Sequence, residues 1–99
     1  MAAKIDLKKC LSEVSPDHCF WVHNGPILKN LEDLANFLPH MSDETFNHHV
    51  NKEKNDFSKW VNDVIGEKKL ASELLKCTNK NSAIKKLRNR LNSLKKRAG

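Results

Sequence analysis

The sequence predicts a mainly α protein: a small single-domain bundle of four to five short helices, with a minor β-hairpin near residues 19–28 and a C-terminal basic amphipathic helix. Three observations carry that expectation. Phe57, Trp60, Val61, Val64 and Ile65 recur at i, i+3, i+4, i+7 and i+8, the spacing of one buried helical face. Gly66 follows at once, a residue that takes the left-handed cap conformation without steric cost, and Leu70, Ala71, Leu74 and Leu75 then open a second helix. Finally, 99 residues with 38% hydrophobic and 30% charged content suffice for one modest core and leave little room for a deep cleft.

Taken in order, residues 5–14 place Ile5 or Leu7, Cys10, Leu11 and Val14 at helical spacing. Ser15-Pro16-Asp17 ends that helix, because proline disfavours the α conformation in the residue before it. Cys19 to His23 is β-prone, and Asn24-Gly25 is a favoured dipeptide for a two-residue hairpin turn. Pro26 cannot donate to a ladder, so the return strand Ile27-Leu28 is short or lies at an edge. Asn30 caps a helix carrying Leu31, Leu34, Ala35 and Leu38, with Glu32 and Asp33 near the positive end of its dipole; Pro39 closes it. Ser42 caps the next, whose inner face is Phe46 and Val50. Asn55 or Asp56 caps the core helix. Both Trp21 and Trp60 are expected as core anchors.

The organisation read from this is a helical domain over 1–77, a short polar break at 78–81 and a basic amphipathic helix at 82–97, docked or extended. Ser82 can cap that last helix. Ile84, Leu87, Leu91, Leu94 and Ala98 follow the alternating three-and-four spacing of a heptad seam. Two heptads fall short of the roughly three or four that secure a coiled coil, and so short an isolated helix is marginal in water. The stripe must dock on the body, pair with another copy or order on a partner.

The run of His49, Asp56-Phe57, Trp60-Val61, Val64-Ile65-Gly66 and Leu70-Ala71 resembles an uncharacterised small helical domain family of archaea and bacteria. That family's pattern is a His, then Asp-Phe-x-x-Trp, an aliphatic pair with Gly, and Leu-Ala. The resemblance covers residues 17–75, taking in Phe20-Trp21 and the Leu-rich segment 28–38. It departs at Asn55, where the family often has Gly, and at Glu67, where it commonly has Asp. The resemblance implies a helical architecture and a domain found alone or appended to larger proteins, some of them carbohydrate-active. It implies no reaction.

Charge carries more functional information than the motif. The net charge is +6, yet residues 80–99 hold eight Lys and Arg and no acid, while residues 1–79 hold ten against all twelve Asp and Glu. A mildly acidic body with a strongly basic tail points to an anionic partner. Lys85, Lys86, Arg88, Arg90, Lys95, Lys96 and Arg97 can neutralise phosphates along a nucleic-acid backbone, and arginines add paired hydrogen bonds to phosphate oxygens. Aromatic RNA-binding motifs and zinc-finger spacing are both missing, so the binding expected is non-specific, and the residues do not select between DNA and RNA. The alternative is a protein-interaction or oligomerisation domain, in which the Ile84, Leu87, Leu91 and Leu94 seam takes another copy or a protein partner. A membrane-surface role for the same helix is weaker, because it lacks Trp and Phe anchors.

Other chemistry finds little support. No run approaches the roughly 20 apolar residues of a membrane span. The N-terminus lacks a signal-peptide core, and three irregularly spaced cysteines fit a reducing cytoplasm better than a disulfide framework. His18, Cys19 and His23 cluster, as do His48 and His49, but no Cys-x-x-Cys or His-x-x-x-His pair completes a four-ligand metal set. His49 reads as a packed histidine beside Trp60, one ring nitrogen bonded to backbone or to a carboxylate. Asp56 reads as a cap rather than a general base. Cys10 and Cys77 sit on apolar faces and read as inert thiols, and Cys19 has no base nearby in sequence. No enzyme activity, catalytic residue, metal or cofactor is expected.

Overall fold

The computed structural model describes residues 11–77 and 79–98. Its elements are a 3₁₀ turn at Pro16–His18, strands β1 (Phe20–Trp21) and β2 (Ile27–Leu28), helix α1 (Leu31–Phe37) running into a 3₁₀ turn at Leu38–His40, and helix α2 (Asp43–His49). Helix α3 (Asp56–Trp60) continues as a π-helical turn over Val61–Ile65 and is followed by α4 (Lys68–Leu75) and α5 (Lys80–Ala98). The mainly α architecture with one small antiparallel hairpin is the one the sequence predicts. The helix expected over 5–14 falls mostly outside the described residues; within them it has ended by Ser12, the Val14 N–H donates instead to the Lys29 carbonyl at 2.8 Å, and Leu11 and Val14 lie half-buried against the core.

The caps are local and follow from side-chain chemistry. Asn30 accepts from the Asp33 N–H, Ser42 from the Thr45 N–H and Asn55 from the Ser58 N–H, each satisfying a first-turn donor that has no intrahelical partner. The hairpin pairs Phe20 with Leu28 and Trp21 with Ile27. Its turn is shifted by one residue from expectation. The Gly25 N–H closes on the Val22 carbonyl at 3.0 Å, and Asn24, at φ 56°, takes the left-handed position. Gly25 is there for space instead: a Cβ on it would lie 2.8 Å from Cγ1 of Val22.

Strand alternation also corrects one core assignment. Phe20 and Val22 point inward, so Trp21 between them points outward and is 70% exposed, beside its cross-strand partner Ile27. Trp60 is the buried tryptophan, and its indole N–H donates to the His18 carbonyl at 2.8 Å.

Helix α3 buries Phe57, Trp60, Val61 and Ile65 and leaves Val64 half-buried. The N–H groups of Gly66 and Glu67 both converge on the Val61 carbonyl, at 2.8 and 3.2 Å, a wider closure than the α-helical one. Gly66 (φ 83°) ends the helix in the left-handed conformation. The start of α3 is sewn to α4: Ser58 Oγ donates to the Ala71 carbonyl at 2.6 Å and Asn55 Nδ2 to the Leu74 carbonyl at 2.9 Å.

Helix α5 closes the core. Leu87, Leu91 and Leu94 lie in the same buried cluster as Leu34, Leu38, Met41 and Leu70. It begins at Lys80, two residues earlier than expected, and Asn79 rather than Ser82 caps it, accepting from the Ser82 N–H at 2.8 Å.

Candidate nucleic-acid interface

The inner side of α5 determines which of its cations face out. Around the helix, Ala83, Leu87, Arg90, Leu91 and Leu94 are buried and Ile84 is half-buried at the border. The seam expected from Ile84, Leu87, Leu91 and Leu94 is thus occupied by the chain's own core, with Ala83 buried and Ile84 left at its border. The reason is area: a chain this small gains more by covering a Leu stripe with its own body than by leaving it in water.

Arg90 is the correction among the cations. It was expected on the polar face with the phosphate-binding residues; it is 7% exposed, and its Nε donates to Glu67 Oε2 at 2.5 Å. Glu67 is itself fully buried and also accepts from the Lys69 and Leu70 N–H groups, at 3.2 and 3.3 Å. One carboxylate therefore caps α4 and holds α5 (its place at the N-terminus of α4 suits a negative charge). The sequence did hold a signal: Arg90 stands three residues after Leu87 and four before Leu94, within the buried stripe. Glu67 gave none, since nothing local marks a cap whose partner lies 23 residues away.

Two lysines tie α5 down at its ends. Lys80 Nζ donates to the Met41 carbonyl at 2.7 Å and lies 3.7 Å from Asp43. Lys95 pairs with Glu32 of α1, both side chains about half-exposed, a contact that contributes little energy in water. What remains outward is Lys85, Lys86, Arg88, Lys96 and Arg97, with Lys95 at the edge, all exposed on a helix that carries no acidic residue. Asn89 and Asn92 are exposed among them.

The histidines form a separate group at the hairpin tip. His49 is buried; its Nε2 accepts the His23 backbone N–H at 3.0 Å, which leaves Nδ1 to donate to Asp56 Oδ2 at 3.0 Å. Its ring packs on Phe20 and Phe57. His48 stacks flat on His23 with ring centroids 3.9 Å apart. Partial desolvation and the neighbouring imidazoles of His23 and His49 hold His48 below the ordinary histidine range. Among the described residues no three His, Cys, Asp or Glu side chains come together as a metal site.

Burial alone would raise the Asp56 carboxyl, but hydrogen bonds from His49 and Lys54 outweigh it and set the group below its usual value. A carboxylate depressed in the folded state stabilises above its unfolded pKa and loses that contribution as pH falls through the folded one. The stability gap between the wild type and Asp56→Asn should therefore narrow as pH drops below about 4. Urea titrations at stepped pH check it, and a gap that stays constant down to acid unfolding would remove the pair from the stability account.

A cavity of about 530 Å³ lies between the 51–55 loop and the end of α4, with Val50, Leu75 and Cys77 among its walls. Its lining has one carboxylate, Glu53, beside Lys52 and Lys54, and no histidine. Cys77 is buried, and burial pushes its thiol up, away from the reactive thiolate.

The class defined by this architecture is a small helical domain whose last helix is half core and half basic surface. The chain belongs to a family of unknown function, DUF5752, whose model matches residues 10–96. That match takes α5 into the family's extent, beyond the 17–75 span of the motif resemblance. No curated protein and no solved structure matches the chain. No helix among the described residues is long and apolar enough to cross a membrane.

Proposed function

We propose that the protein is a non-enzymatic module that binds nucleic acid through the phosphate backbone, using the exposed face of α5. One observation carries the reading. The docked helix turns Lys85, Lys86, Arg88, Lys96 and Arg97 to solvent along a surface with no acidic residue of its own, on a body whose first 79 residues have more acids than bases. A polyanion would approach from that side and release condensed counterions on binding. Arg90 is left out of the contact set, since Glu67 holds it inside.

The test is fluorescence anisotropy of labelled nucleic acid titrated with full-length protein at several salt concentrations. Affinity should fall linearly on a log–log plot, with a slope near −0.9 per phosphate contacted on a duplex. Replacing Lys85, Lys86, Arg88, Lys96 and Arg97 together by Gln should abolish binding and leave the thermal transition in place, because none of them is buried. Deleting the helix is the wrong control: it would strip Leu87, Leu91 and Leu94 from the core. Absence of binding at low salt would end the reading.

A further inference from the structure

We infer that the exposed face of α5 is shaped for the major groove of double-stranded DNA, with its asparagines reading base edges between two flanks of cations. The inference rests on the nucleic-acid reading above and names its substrate class.

At about 100° per residue, Lys85, Asn89, Asn92 and Lys96 stand at i, i+4, i+7 and i+11, one ridge opposite the buried Leu87 and Leu94. Arg88 and Lys95 share one edge of that ridge, seven residues apart. Lys86 and Arg97 share the other, eleven apart. All eight side chains are exposed. The ridge spans about 16 Å at 1.5 Å per residue. An α-helix about 10–12 Å across enters the B-DNA major groove, which is about 12 Å wide.

In that seat the two cationic edges meet the phosphates of opposite strands. On one edge Lys95 is already paired with Glu32, so Arg88 makes the phosphate contact there. The ridge then faces the groove floor. Asparagine there can pair with the N6 and N7 edge of adenine, and lysine with the O6 and N7 edge of guanine.

The other nucleic acids suit this face less well. A single strand is held by one line of cations and by aromatic platforms on which bases stack, and α5 has no aromatic residue. Double-stranded RNA has a major groove too deep and narrow for side chains to read. Cations on both edges with amides between them fit the two strands of a DNA duplex.

The experiment compares full-length protein on a DNA duplex, on double-stranded RNA of the same sequence and on single-stranded DNA, at one low salt concentration. The duplex probes are drawn from a pool selected for binding. Duplex DNA should bind about tenfold or more tightly than either alternative. Methylating guanine N7, which lies in the major groove, should weaken binding, while a minor-groove ligand should not displace the protein. The Asn89→Ala/Asn92→Ala variant should lose affinity for the selected sequence and keep the wild-type salt slope. The Lys86→Gln/Arg97→Gln variant should lower the slope. Thermal melts confirm that both variants are folded.

Equal binding to all three nucleic acids, with the cation dependence intact, overturns the groove assignment and leaves backbone binding standing. Indifference of the selected sequence to the asparagine pair or to N7 methylation overturns it as well. No binding to any probe overturns both readings.

Discussion

Replacing Glu67 by Ala is expected to destabilise the domain by about 3–5 kcal/mol, the cost of leaving one member of a buried ion pair without its partner. The carboxylate accepts from the Lys69 and Leu70 N–H groups and from Arg90, so its removal uncaps α4 and leaves a guanidinium 7% exposed with no counter-charge. Against a total stability of about 5–15 kcal/mol for a domain of this size, the variant would be marginal. Urea unfolding of Glu67→Ala, Arg90→Met and the double variant measures the coupling. The double should cost clearly less than the two singles added, because the apolar side chain spares the charge that the first change orphans. Strict additivity would mean that the two groups do not depend on one another.

Leu87→Ala and Leu94→Ala should each cost about 2–5 kcal/mol, through lost burial and the cavity left behind. Both side chains are 0% exposed and packed among the body's leucines. Lys85→Gln, on the opposite side of the same helix, should fall within about 0.5 kcal/mol of the wild type. This contrast separates the docked helix from an intermolecular seam. A Leu87→Ala protein that kept its unfolding midpoint but lost self-association would show the stripe to be an interface instead. The same burial explains why the basic face has to be tested by substitution rather than by truncation.

Much of the fold was legible locally. Asn30, Ser42 and Asn55 act as caps because a short side-chain oxygen beside a helix start has few alternatives. Phe57, Trp60, Val61 and Ile65 are buried because helical periodicity puts them on one face, and Gly66 stops that helix as glycine should. His49 has both a backbone and a carboxylate partner where the motif predicts one or the other, and its ring packs on Phe20 and Phe57. Trp21 departs from the core-anchor expectation because alternation decides in so short a hairpin: Phe20 and Val22 set which side faces in.

The candidate interface divides in the same way. Its basic character is written into composition alone, since eight cations without an acid over residues 80–99 remain basic in any fold. Which of those cations can reach a ligand was decided by packing. Arg90 turns inward because its position on the helix falls within the leucine stripe and because Glu67, 23 residues earlier, is there to meet it.

By itself, then, the sequence determined the helix periods, the caps, the glycine stop and the sign of the C-terminal charge, all of which depend on neighbours a few residues apart. The tertiary structure alone decided that α5 docks on its own body, that Glu67 and Arg90 form a buried pair, and that Trp21 stays in water. Each of these depends on which distant surface covers a side chain, and burial of that kind is a property of the packed chain rather than of any window along it.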